Sequence, residues 1–119
     1  MSKNSLTITR IGKFSFTAIG DAHCGVAKPG TKQAADYEVR IKCAPVLDRR
    51  HYLIEQLDID AYMQGIKAVE QSCEKLVIDT AYDLLELCQE RNKRMQIIFI
   101  EVMIKAAPGL AWMTFRLWP

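Results

Sequence analysis

From Tyr37 to Cys43 the chain alternates without interruption, Tyr37, Val39, Ile41 and Cys43 against Glu38, Arg40 and Lys42. A period of two belongs to a β-strand with one face in a core and the other toward solvent or a partner. Such a strand cannot stand alone, because its apolar face needs a covering layer and its edges need neighbours. A first neighbour lies upstream, where Leu6, Ile8, Phe14, Phe16 and Ala18 share one side of a second alternating segment. Gly12 is expected to bend or bulge that strand, and Pro45 to end its partner. Between them, Gly20 to Asp36 contains Gly20, Gly25, Pro29 and Gly30, a composition that reads as a long connection carrying turns.

Downstream the period changes to that of a helix. After Asp58, read as an N-cap, Ile59, Tyr62, Met63, Ile66 and Val69 recur at helical spacing, predicting a helix to about Glu70 that Gly65 weakens. Ser72 can cap a second helix reaching about Arg91, with Val77, Thr80, Ala81, Leu84 and Cys88 on one side and Asp79, Asp83, Glu86 and Glu90 on a solvated one. The last third returns to strands. Ile97 to Ile104 is an apolar run with residues for both faces of a sheet, and Pro108-Gly109 turns the chain into Ala111, Met113, Phe115 and Leu117, which alternate with Trp112, Thr114, Arg116 and Trp118. The expected fold is a single α+β domain over residues 1–119, a four-stranded antiparallel sheet with two helices on one face in the order β-β-α-α-β-β.

With 119 residues, of which 50% are hydrophobic and 25% charged, the chain supports one core. A net charge of +2 with scattered basic residues excludes a basic stripe, so no nucleic-acid partner is expected. No stretch approaches the roughly 20 apolar residues of a membrane span, and residues 1–6 lack an apolar leader core, so no membrane partner is expected. Cys24, Cys43, Cys73 and Cys88 form no CxxC pair, and they read as reduced thiols in a cytoplasmic protein. An apolar second sheet face and open edges lead to the expectation of a homo-oligomer.

Glu74 is the charge that stands out. At about 100° per residue it lies roughly 120–180° around the second helix from the four solvated acids, near the meridian of Ile78, Ala81 and Leu85. A carboxylate in a first helical turn is favoured by the helix dipole, and it can accept a bidentate pair of hydrogen bonds from an amidine-like edge. Glu101, between Phe99 and Met103, is a second unusual acid; a buried carboxylate is paired or functional. Cys73 beside Glu74 sits where a thiol gains nucleophilicity, with no histidine assigned to activate it.

Ser72-Cys73-Glu74-Lys75-Leu76, Phe14-Ser15-Phe16-Thr17-Ala18, Tyr52-Leu53-Ile54-Glu55 and the order of elements resemble the tunnelling-fold superfamily. It includes the 6-pyruvoyltetrahydropterin synthases, the carboxytetrahydropterin synthases and dihydroneopterin aldolase. The resemblance implies that Glu74 anchors the ring N–H and exocyclic amine of a pterin or purine near a subunit boundary; Glu101, from its burial pattern, and Cys73, from its place beside Glu74, are the further contact candidates. The zinc-dependent synthases lead into the second strand with a His-x-His pair. Here that stretch reads Ala34-Ala35-Asp36-Tyr37, and the chain holds only His23 and His51, so neither a metal nor another cofactor is expected. His23 and Cys24 read as a surface histidine and a loop thiol. Lys105, near the end of the third strand, sits where the aldolases place a lysine, and the resemblance keeps a metal-free pterin aldolase open beside a binding protein without catalysis. The reading that stands apart from it is a non-catalytic oligomeric interaction protein.

Overall fold

Among the described residues five strands, not four, make the sheet. The computed structural model describes residues 5–19, 30, 32–44, 54–70, 73–91, 96–105 and 112–119, the side chain of Cys73 excepted. In chain order they form β1 (Leu6–Ala18), β2 (Lys32–Cys43), α1 (Gln56–Gln64), β3 (Ala68–Val69), α2 (Cys73–Arg91), β4 (Ile97–Lys105) and β5 (Met113–Leu117). The sheet order is β3-β1-β2-β4-β5. β1–β2, β2–β4 and β4–β5 are antiparallel, whereas β3 runs parallel to β1. The class α+β stands, but the four-stranded antiparallel sheet and the order β-β-α-α-β-β do not, nor does the tunnelling-fold layout expected from them: the sheet is mixed, and a strand separates the helices.

The extra strand arises because α1 stops early. Its first turn is closed by a capping box three residues ahead of the expected cap, in which the Glu55 N–H donates to Asp58 Oδ2 at 2.8 Å and the Glu55 side chain accepts from the Asp58 backbone. At the other end the Gly65 N–H is shared between the Ala61 and Tyr62 carbonyls, at 3.1 and 3.0 Å, and the helix ends. The chain then meets the free edge of β1, where Thr17 N–H donates to the Lys67 carbonyl at 2.9 Å and Ile19 N–H to that of Val69 at 2.8 Å. Val69 satisfies helical spacing and is buried, but it is buried from a strand. A periodicity of apolar residues marks a buried face and leaves open which backbone delivers it.

The hairpin is longer than its composition indicates. Lys32 to Asp36, assigned to the connection, belongs to β2, in a register that runs unbroken from Leu6 opposite Cys43 to Thr17 opposite Lys32. Lys, Ala and Asp are poor strand formers, but pairing against Phe14 and Phe16 decides the matter. The continuous register also removes the bulge expected at Gly12. Gly12 lies opposite Tyr37, and a Cβ there would fall 2.6 Å from Tyr37 Oη and 2.8 Å from Cζ. The glycine makes room for an aromatic ring that crosses its own backbone.

One face of the sheet is covered. Phe14, Phe16, Tyr37, Val39, Ile41, Ile100, Val102 and Ile104 meet Ile59 and Met63 of α1 and Leu76, Val77, Ala81, Leu84 and Cys88 of α2 in a single core. Phe14 packs against Phe16 and Tyr37 with ring centroids 5.5 and 6.0 Å apart. α1 lies along the edge of β1, where Gln56 Nε2 donates to the Thr9 carbonyl and Gln64 Nε2 to that of Lys13, both at 2.6 Å. The geometry is commensurate: eight helical residues advance about 12 Å, and four strand residues about 13 Å. No helix is long and apolar enough to cross a membrane among the described residues.

Candidate functional site

Glu74 is exposed. The buried arc of α2 is centred between Val77, Ala81, Leu84 and Cys88, and Glu74 falls on its flank, roughly 50° from the centre. Ile78 and Tyr82, one and two turns further along the same flank, are exposed too, at 37% and 54%. The carboxylate is therefore off the solvated acidic stripe, as its spacing indicates, but it borders the core instead of entering it. Among the described residues it has no hydrogen-bond or ion-pair partner, while the next residue, Lys75, pairs with Asp79 at 3.7 Å. Tyr82 stacks on Phe115 of β5 with centroids 6.5 Å apart, so the aromatic part of this flank is held in place. Ser72 and the side chain of Cys73 lie outside the described residues.

Glu101 is in the opposite situation. It lies in the middle of the open sheet face, directly opposite Arg40 of β2 and Arg116 of β5. Only 8% of it is exposed. Arg116 donates from Nε at 3.0 Å and from Nη2 at 2.8 Å to Glu101 Oε2, Arg40 Nη1 approaches Oε1 at 3.8 Å, and Arg40 Nη2 contacts Glu38 at 2.5 Å. The Arg116 guanidinium also lies over the rings of Phe99, 4.5 Å from its centroid, and Trp118, 5.5 Å. This row of charges interrupts the apolar second face expected from β4, and the buried acid has its partners within the chain. Lys105 lies opposite Asp36 on the same face.

A cluster not anticipated from the sequence joins β1, β2 and α1 across the covered side. Tyr37, fully buried, donates its hydroxyl to Asp60, and Arg10 approaches the other Asp60 oxygen at 3.4 Å. Burial first, then the bond to the Asp60 carboxylate, pushes the Tyr37 hydroxyl up to about 12. The same hydrogen bond, assisted by Arg10 and Gln64, holds Asp60 below the ordinary aspartate value against the effect of desolvation. Tyr62 makes a similar bond to Asp83 at 2.5 Å, and burial followed by that bond raises its hydroxyl as well. Burial raises the Cys43 thiol and takes Cys88 up to about 12, which makes both unreactive core thiols.

A concavity opens at the β1 edge between the end of α1 and the start of β3. This groove, about 600 Å³, is lined by Lys13, Ser15, Thr17, Lys32, Gln64 and Lys67 together with Ala34 and the backbone of Phe14 and Phe16. Its three lysines come from β1, β2 and the segment before β3, three stretches of sequence that share no motif. Only the register that sets Thr17 opposite both Lys32 and Ala68 brings them together.

Among the described residues no three His, Cys, Asp or Glu side chains converge as metal ligands. His23, Cys24, His51 and Pro108-Gly109 lie outside those residues. No protein-family model matches the chain, and no curated protein matches it.

Proposed function

We propose that this chain is a binding protein for a planar heterocycle bearing an amidine-like edge, of the pterin or purine class, with Glu74 as the anchoring acceptor. One observation carries the reading: a carboxylate without a partner among the described residues, in the first turn of a 19-residue helix, beside exposed Ile78 and Tyr82. A carboxylate of this kind can take two parallel N–H bonds, and the neighbouring apolar and aromatic surface can cover a ring. The ligand class comes from the resemblance of residues 72–76 to the start of the tunnelling-fold helix. The flank is shallow within one chain, so the reading includes association of copies, for which exposed Ile11, Trp112 and Trp118 offer apolar area. The free thiols Cys43 and Cys88 accord with a reducing, cytoplasmic setting.

Calorimetric titration of the wild type, Glu74→Gln and Glu74→Ala with guanine, neopterin and biopterin tests this. The expected result is binding by the wild type that falls at least about tenfold in both variants, the scale of a lost charge-assisted pair. Equal affinity in all three proteins, or none in any, overturns it.

A further inference from the structure

Glu74 is not among the described residues that line the lysine groove at the β1 edge, and the backbone of that edge gives the groove a second kind of donor. In β1 the odd-numbered residues point their N–H and C=O groups away from β2, as the outward bonds of Thr9, Lys13 and Thr17 show. Gln64 occupies the Lys13 carbonyl, and pairing with β3 begins only at Thr17. Ser15 falls in the gap between them. By the same alternation its N–H is directed out of this edge, Ser15 lines the groove, and no backbone acceptor for that N–H is found among the described residues. An edge N–H in this position needs water or a ligand.

The side chains around it are donors of the same sign. Lys32 and Lys67 have no carboxylate partner among the described residues, and Lys13 makes only a 3.6 Å contact with Asp36 while staying 81% exposed. Among the described residues no Asp or Glu lines the groove; the Ser15 and Thr17 hydroxyls and the Gln64 amide belong to its polar wall. Three ammonium groups, an edge backbone N–H and two hydroxyls form a donor-rich cradle for an oxyanion of more than one negative charge. The volume of about 600 Å³ is that of a small-molecule site, larger than a single inorganic phosphate needs.

We propose that this groove binds a phosphate-bearing small molecule, its phosphoryl oxygens held by Lys13, Lys32, Lys67 and the Ser15 N–H. Lys32 and Lys67, from opposite sides of β1, supply the charge, and the fixed edge N–H supplies the direction. The site does not depend on Glu74 or on the heterocycle reading.

The test is an amide NMR titration of the full chain with sodium tripolyphosphate, against sodium chloride at matched ionic strength. The expected result is a saturable shift of the Ser15 amide with tripolyphosphate alone, weakened about fivefold by Lys32→Ala and by Lys67→Ala, and unchanged by Lys42→Ala at the other end of β2. The Glu74→Ala protein should bind tripolyphosphate as the wild type does, which separates this site from the proposed heterocycle site. Equal response to chloride, or equal weakening by Lys42→Ala, identifies general charge screening and overturns the proposal. Retained affinity in a folded Lys32→Ala/Lys67→Ala double variant overturns it as well.

Discussion

The two faces of the sheet are held by different physics. The covered face is an apolar layer, with Val39, Ile41, Ile100 and Val102 fully buried under α1 and α2. The open face is bound by a row of charges, Glu38, Arg40, Glu101 and Arg116, that crosses three strands and is edged by Phe99 and Trp118. Burial of apolar area tolerates no water and little change in volume. A charge row at a half-solvated surface depends instead on completeness, since removing one member strands the others. Polar groups occur on both faces, but in different roles: Tyr37 is locked beneath the helices against Asp60, whereas Glu101 is shielded by its own arginines.

The largest expected effect tests the covered face. Leu84→Ala removes a fully buried side chain from the α2 seam and should lower stability by about 2–5 kcal/mol, read as a drop in the urea midpoint. A loss below about 1 kcal/mol would mean that this face is not close-packed.

Alkaline pH provides a second contrast. The Tyr37 pKa is raised in the folded chain to about 12, so its contribution is fully present below its unfolded value near 10 and is lost as pH rises through 12. That loss should reach about 2–3 kcal/mol in a denaturation series from pH 9 to 12. Tyr37→Phe should flatten this part of the pH profile, while the arginines of the open face stay charged throughout. Asp60 acts at the other extreme: its pKa is lowered in the fold, so its contribution is present above the unfolded value and disappears as pH falls through the depressed one.

The smallest effect belongs to the open face. Glu101→Ala leaves Arg40 and Arg116 facing each other, and both are partly solvated, at 45% and 40% side-chain exposure. The expected cost is about 1–3 kcal/mol, below the range for a fully buried pair. Glu101→Met combined with Arg116→Leu should recover most of it, because the replacement satisfies the site without charge. If the double substitution is as destabilising as the single one, the row contributes more than mutual compensation.

What was legible in the sequence follows from how local each signal is. The alternation of Tyr37 to Cys43 and of Met113 to Leu117, and the buried stripe Val77, Ala81, Leu84 and Cys88, appear in the fold as read. The off-stripe position of Glu74 was legible as an angle, but its exposure was not, because the angle locates a residue relative to its own helix and not to the sheet beneath. Glu101 was recognisable as an unusual acid, while its partners were hidden: Arg40 lies 61 positions away and is brought opposite only by the β2–β4 register. Asp58 was read as a cap when it is the third residue of the helix it helps to cap.

The sequence by itself determined the class of the fold, the periods of β2 and α2 and the apolar face of each, since these depend on side-chain chemistry at fixed local spacing. The tertiary structure decided that Ala68-Val69 would be a strand, that Gly12 would yield space to Tyr37, and that lysines from three segments would share one groove. Each of these rests on a free backbone edge or a cross-strand register. Both exist only once distant parts of the chain have been brought side by side.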